Sequence, residues 1–150
     1  FGGIDAGAAV AAAKAYSAGS LGTFASTEYS ANESGNVNLT IPDKTASGVT
    51  NVIMNVSGAN TIEAVQVKIN VTHSWVGDVA VELTSPAGTR SVLLTPLNNS
   101  NDANNYVDFE LTSNAFYGES KVGNWTIKLV DAYPGDEGSL TNWAIRFHGH

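Results

Sequence analysis

Residues 73–91, HSWVGDVAVELTSPAGTRS, decide the fold of this chain. After the polar start and a Gly-Asp pair, apolar Val79, Val81 and Leu83 alternate with more polar neighbours. This two-residue period is that of a strand with one buried face. The Pro-Ala-Gly at 86–88 then predicts a tight turn, because proline presets φ and glycine accepts a left-handed backbone. The stretch therefore predicts a polar loop, a strand and a hairpin turn in succession.

The same alternation recurs on both sides of this stretch, between turns rich in Gly, Asn, Pro and Asp. About eight such strands predict an all-β protein, most simply a jelly-roll β-sandwich. The predicted inward positions are Val37, Leu39 and Ile41; Val52, Met54 and Val56; Val65, Val67, Ile69 and Val71; Val92 and Leu94; Val107, Phe109 and Leu111; Trp125, Ile127 and Leu129; and Trp143, Ile145 and Phe147.

One helix is predicted, from Ile4 to Tyr16, with Asp5 as N-cap and Gly19 as its stop. A helix of this length is marginal in water, so we expect it to pack on something. The Ser/Gly/Thr-rich segment after it predicts a linker. The expected organisation is a helical segment at 1–19, a linker at 20–30 and a β domain at 31–150.

Composition narrows the function classes. The chain has 150 residues, 43% hydrophobic and 14% charged, with a net charge of −7. A surplus of carboxylates disfavours nucleic acid as a partner, and the apolar runs are too short to span a membrane. There is no cysteine, and Asn-, Thr- and Gly-rich β proteins without cysteine are common among secreted bacterial proteins. Because the chain begins at Phe1 and has only Met54, we expect an excised piece of a longer, secreted product.

No catalytic residues are predicted. Of three histidines, His148 and His150 are expected at a frayed C-terminus, and His73 is expected to be structural or interface-forming rather than a base. Neither Gly-x-Ser-x-Gly nor His-Glu-x-x-His occurs. We therefore expect that the chain is not an enzyme by itself.

Calcium is the cofactor that the loops suggest, because it binds six to eight oxygens, usually gathered by loops. The predicted ligands are Asp78, Asp131, Asp136 and Glu119, and residues 98–102 form a further oxygen-rich stretch. The spacing is not that of an EF-hand, and ordinary solvated turn residues remain the alternative.

The tryptophans divide into two groups. Trp125 and Trp143 open alternating strands and are predicted to be structural core residues, and Gly123 is predicted to be structural as well. A sugar-stacking platform is the alternative for this pair. Trp75 lies in a loop and is expected to face a partner domain.

Two ordered blocks carry a family resemblance. The first comprises Gly77-Asp78, the alternating strand, Ser85-Pro86-Ala87-Gly88-Thr89 and an apolar strand. The second comprises Phe116-Tyr117-Gly118-Glu119, Gly123-Asn124-Trp125, Asp131, Gly138-Ser139-Leu140, Asn142-Trp143 and His148-Gly149. Together they resemble the P domain, or Homo B domain, that follows the catalytic domain in kexin- and furin-like subtilases. The N-terminal helix resembles the last helix of such a catalytic domain.

This resemblance implies a galactose-binding-like jelly roll that packs on a subtilisin-like catalytic domain of the same precursor. The implied role is non-catalytic: supporting folding, stability and the calcium and pH dependence of that domain, with a protein substrate as a further partner. The predicted domain interface comprises Trp75, Gly77, Tyr117 and Glu119. Val76 replaces the arginine usual in eukaryotic members, and Tyr117 replaces a tryptophan, which favours a bacterial relative. The alternatives are a jelly-roll module that binds carbohydrate or insoluble protein, and an independent hydrolase.

Overall fold

The computed structural model describes residues 5–17, 22–30, 37–97 and 105–150. One helix and nine strands lie in these ranges, and a 3-10 turn at Val76–Asp78 precedes β5. The elements are α1 Ala6–Ala15, β1 Ala25–Ser30, β2 Leu39–Ile41, β3 Val49–Val56, β4 Ile62–His73, β5 Val79–Thr84, β6 Arg90–Leu94, β7 Tyr106–Ser113, β8 Gly123–Asp131 and β9 Gly138–Gly149.

The strands form two antiparallel sheets that pack as a sandwich. In the first sheet, β9 pairs with β1 and β2 on one side and with β4 on the other, and β7 follows β4. The second sheet has the order β3-β8-β5-β6. Strands β2 to β9 pass repeatedly between the sheets in the order of an eight-stranded jelly roll. The all-β sandwich is confirmed, with β1 as an additional strand.

The core lies between the sheets and contains the strands with the clearest alternation. Trp125 and Trp143 are fully buried, and each indole N–H donates a hydrogen bond, to the Lys121 carbonyl and to Asn51 Oδ1, both at 2.8 Å. Phe116 packs edge-on against Trp125. The inward positions predicted for β4, β8 and β9 are confirmed.

β-Bulges reverse the predicted face in β3. Val52 and Met54 are exposed, whereas Ile53 and Val56 are buried. The register of β3 against β8 shifts between Ile53 and Val56, and Asn55 in this interval has a φ of 57°. An extra residue in a strand changes which side chains face the core. The prediction that Val52 and Met54 point inward was therefore wrong.

The same correction applies to parts of β6 and β7. Val92 is 62% exposed, Val107 is 73% exposed and Phe109 is 37% exposed, although all three were predicted to point inward. The register of β7 against β4 shifts beside Asp108, which has a φ of 48°. Leu111, beyond this shift, is buried as predicted.

The predicted linker at 20–30 is too long. Residues Ala25–Ser30 form β1, which pairs with β9 from Ala25 opposite Gly149 to Ser30 opposite Ala144. The alternation was missed because the inward residues are the polar or mixed Thr27 and Tyr29. The β-sandwich therefore begins at β1, before the predicted boundary at 31.

Helix α1 is capped as predicted, since Asp5 Oδ1 accepts a hydrogen bond from Ala8 N at 2.8 Å. Every residue of α1 is exposed. The predicted helix start at Ile4 and stop at Gly19 lie outside the described residues. Within the described part of the chain, no helix is long and apolar enough to cross a bilayer.

Candidate functional site

Polar side chains gather at the two ends of β4, which has 12 residues. The end at His73 is called the loop end, and the end at Ile62 is called the linker end. At about 3.3 Å per residue, the two are about 36 Å apart. Each residue of the predicted metal site and the predicted domain interface belongs to one end or the other.

At the loop end, His73 Nε2 lies 3.4 Å from Asp131 Oδ2, and both side chains are fully buried. His73 Nδ1 accepts a hydrogen bond from the Trp75 N–H at 3.1 Å. Because an accepting ring nitrogen carries no proton, the proton of neutral His73 is on Nε2 and faces Asp131. Asp131 Oδ1 in turn accepts the Tyr133 N–H at 3.1 Å. The pair joins the end of β4 to the end of β8.

Asp78 is the third buried group of the loop end, with 6% of its surface exposed. Its backbone N–H donates to the Trp75 carbonyl at 3.1 Å, and its carbonyl accepts the Ala132 N–H at 3.0 Å. Burial raises the pKa of the Asp78 carboxyl, and the charges of Asp131 and Asp136 raise it further, against a smaller lowering by His73. The fold therefore favours the protonated form of Asp78 more than the unfolded chain does.

The structure does not bring the four predicted calcium ligands together. Asp78, Asp131 and Asp136 lie at the loop end, whereas Glu119 lies at the linker end, where its carbonyl accepts the Ile62 N–H at 2.9 Å. Among the described residues, no group of three His, Asp or Glu side chains is placed to hold a metal ion.

The oxygen-rich stretch at 98–102 lies outside the described residues. Asn105, which follows this stretch and is described, accepts the His73 N–H with its Oδ1. Calcium binding stays a prediction, which thermal melting with calcium and then with a chelator tests.

Asp78→Asn should raise the melting temperature at pH 7. A carboxyl with a raised pKa in the folded state contributes stability below its ordinary value of 3.8, and that stability is lost as the pH rises through the folded pKa. The neutral amide removes this loss, so the gain should vanish in scans near pH 3. A gain that is equal at both pH values would contradict the raised pKa.

The predicted interface residues also separate. Trp75 (39% exposed) and buried Gly77 lie at the loop end, whereas Tyr117 (73% exposed) and Glu119 lie at the linker end. Gly118 N donates to the Ile62 carbonyl at 2.8 Å, which fixes the Tyr117 turn to the start of β4. One compact interface cannot contain both pairs, so the prediction of a single surface needs correction.

At the linker end, the chain leads into β1 beside the last residues of β9. Phe24, 53% exposed, stacks on His148 with a centroid distance of 6.4 Å and meets His150 edge-on at 5.4 Å. His150 Nδ1 donates to Glu63 Oε1 at 2.5 Å. Glu63 and Tyr117 line a cavity of about 190 Å³ with Thr61, Ile62 and His150.

Sequence reasoning missed the contacts of His148. It lies within β9, where Nε2 donates to Gln66 Oε1 at 2.9 Å and Nδ1 accepts the Ser26 hydroxyl at 2.7 Å. The expectation that His148 sits at a frayed terminus was therefore wrong. The alternation from Trp143 to Phe147, continued by two residues, was the signal that could have placed it in the strand.

The fold and these contacts define a β-sandwich whose buried polar groups tie its strand ends together, with a linker approaching one end. A sequence model of the proprotein convertase P-domain family matches residues 62–147. The chain belongs to this family.

Three comparisons are informative. The chain is 32% identical over 125 residues to the Aeromonas extracellular serine protease of Aeromonas sobria, covering 60% of this chain and 20% of the relative. It is 31% identical over 108 residues to the transglutaminase-activating metalloprotease of Streptomyces mobaraensis, covering 71% of this chain and 14% of the relative. The crystal structure of the A. sobria serine protease with a chaperone matches with a TM-score of 0.81 and 26% identity, over 95% of this chain and 29% of that one.

Proposed function

We propose that the chain is the non-catalytic P domain of a secreted subtilisin-like serine protease, and that it supports the folding and stability of the catalytic domain. The observation that carries the proposal is the likeness to the A. sobria protease structure, which covers 95% of this chain with a TM-score of 0.81. That coverage extends well beyond the family match at 62–147. Secretion is proposed because the A. sobria relative is named extracellular.

The exposure of helix α1 supports the proposal of a neighbouring catalytic domain. It is Ala-rich and wholly exposed, and Val10 and Tyr16 leave 54% and 58% of their surface accessible. An isolated helix of 10 residues is marginal in water. Burial in a preceding domain, as the last helix of that domain, would supply the missing stabilisation.

The linker end is the side of the sandwich that would face this domain. Residues 16–24 join α1 to β1, which begins opposite Gly149 at the linker end. Nine extended residues reach at most about 32 Å, less than the length of β4. The exposed ring of Tyr117 lies at this same end, whereas Trp75 lies at the far end. Tyr117 is therefore the better interface candidate.

The second candidate is a P domain that belongs to a metalloprotease, because one relative that shares 31% identity with the chain is named a metalloprotease. The earlier alternative, a carbohydrate-binding module, loses its platform, since Trp125 and Trp143 are fully buried. The coding frame upstream of residue 1 separates the two protease classes. We expect a subtilisin-like domain with Asp, His and Ser; a His-Glu-x-x-His domain would establish the metalloprotease instead.

In the complete protease, deleting residues 25–150 should lower the melting temperature of the catalytic domain by about 5 °C or more, because a bound partner stabilises the state that it binds. The measurement is calorimetric melting of the purified protease with and without the sandwich. An unchanged melting temperature and yield of active protease would contradict the accessory role.

Tyr117→Ala in the same protease should lower that melting temperature, and Tyr133→Ala is the matched control. Both tyrosines are exposed, at 73% and 40%, but Tyr133 follows β8 at the loop end. Equal effects of the two changes would disprove the linker-end interface and leave the accessory role standing.

A further inference from the structure

The cavity at the linker end has the size of a single side chain. Its volume is about 190 Å³, below the roughly 300–1,000 Å³ of sites for small-molecule ligands. A second, more open cavity of about 360 Å³ adjoins it and shares Thr61 and His150. The walls are fixed by backbone hydrogen bonds, since Thr61 N donates to the His150 carbonyl at 2.5 Å and the Tyr117 turn is bonded to Ile62.

The groups around the cavity favour a cation. Glu63 is 39% exposed at its side chain and offers His150 only Oε1, so Oε2 has no partner among the described residues. The largely exposed Tyr117 ring adds an aromatic face, which attracts guanidinium and ammonium groups.

No lysine or arginine of this chain is among the residues that line either cavity. Lys121 is close in sequence, but its ammonium is buried, donates to Thr27 Oγ1 at 3.3 Å and lies 5.8 Å from the centre of the Tyr29 ring. Glu63 Oε2, in the same cavity lining as the Tyr117 ring, therefore remains available to a cation from outside.

We propose that this cavity binds the guanidinium or ammonium group of one basic side chain presented by a neighbouring polypeptide. The choice of a polypeptide rests on the proposed function, because β1, the first strand after the helix, begins at this end of the sandwich. The site itself is a property of residues 1–150 and can be tested on them alone.

The probe is N-acetyl-arginine amide, titrated into the ¹⁵N-labelled chain and followed by amide shifts. N-acetyl-citrulline amide, which has the same shape without the charge, is the matched ligand. We expect saturable shifts at Thr61, Tyr117 and His150 with the arginine compound and weak ones with citrulline. Glu63→Gln and Tyr117→Ala should each weaken binding about fivefold, the worth of a partly exposed charge or cation–π contact.

Glu137→Gln is the control variant, since it removes the same charge from an exposed residue at the loop end. Equal weakening by Glu137→Gln and Glu63→Gln would reduce the effect to general attraction by the net charge, and equal binding of citrulline would exclude a cation site. Either result overturns the proposal.

Acetyl-Ala-Arg-Ala-amide distinguishes the source of the cation. If the occupant belongs to a polypeptide, this peptide should bind at least as tightly as N-acetyl-arginine amide. Failure of the peptide to bind would overturn the assignment of the site to a polypeptide. A protease whose stability does not depend on residues 25–150 would refute the accessory role but would not remove binding by the isolated chain. The two failures are therefore distinguishable.

Discussion

Gly138→Ala should destabilise the sandwich by about 3 kcal/mol or more, at the upper end of overpacking effects. A Cβ at this position would lie 2.2 Å from His73 Cδ2 and 2.4 Å from the Thr72 carbonyl oxygen. His73 cannot yield, because its ring is buried between Asp131 and the Trp75 N–H. The backbone of β4 or β9 must therefore move, and the melting temperature should fall by about 10 °C.

Ser139→Ala is the control, because it lies next to Gly138 in the same strand and only removes a hydroxyl. The double change His73→Ala with Gly138→Ala should recover part of the loss, since one of the two clashes is with the His73 ring. Urea unfolding of the unchanged protein, of His73→Ala, of Gly138→Ala and of the double variant measures the coupling energy between the two positions. A Gly138→Ala protein as stable as Ser139→Ala would show that the packing around His73 is looser than described.

Asp131→Ala should have the second large effect, a loss of about 3 kcal/mol. The change removes the acceptor of the Tyr133 N–H and the carboxylate that faces the buried His73 Nε2 at 3.4 Å, and it opens a cavity in place of the carboxylate. Each unsatisfied buried donor costs about 1–3 kcal/mol. Denaturant unfolding at pH 7 is the appropriate measurement.

Asp136→Ala provides the comparison, since Asp136 belongs to the same end but is only partly buried. Loss of this side chain should lower the free energy of unfolding only slightly, because the charge of Asp136 only adds to the repulsion that raises the pKa of Asp78. If Asp131→Ala and Asp136→Ala reduced stability equally, the buried His73–Asp131 pair would contribute no more to stability than a partly buried carboxylate. A cycle with His73→Ala would then show no coupling energy.

The sequence predicted the strands in which alternation is uninterrupted. Trp125 and Trp143 were placed correctly because every second residue of their strands is apolar. Met54 and Val107 were placed wrongly because one extra residue near each of them shifts the register. A bulge is set by the partner strand and leaves no mark in the apolar pattern of its own strand.

The candidate site was less predictable than the fold. The sequence singled out Asp78 and Asp131, and the structure brings both of them close to His73, a neighbour that the sequence did not indicate. Tyr117 and Glu119 were grouped with Trp75, although the length of β4 separates them. Which loops share an end depends on strand order and direction, which no local pattern contains.

By itself, the sequence determined an all-β sandwich of the P-domain family, through the 73–91 stretch and the second block around Trp125. These features are local, since alternation, turn chemistry and motif spacing act over a few residues. Only the tertiary structure decided that His73 and Asp131 close one end of the sandwich and that Glu63, Tyr117 and His150 surround a cavity at the other. Those contacts join residues far apart in the chain, and pairing between distant strands is what brings them together.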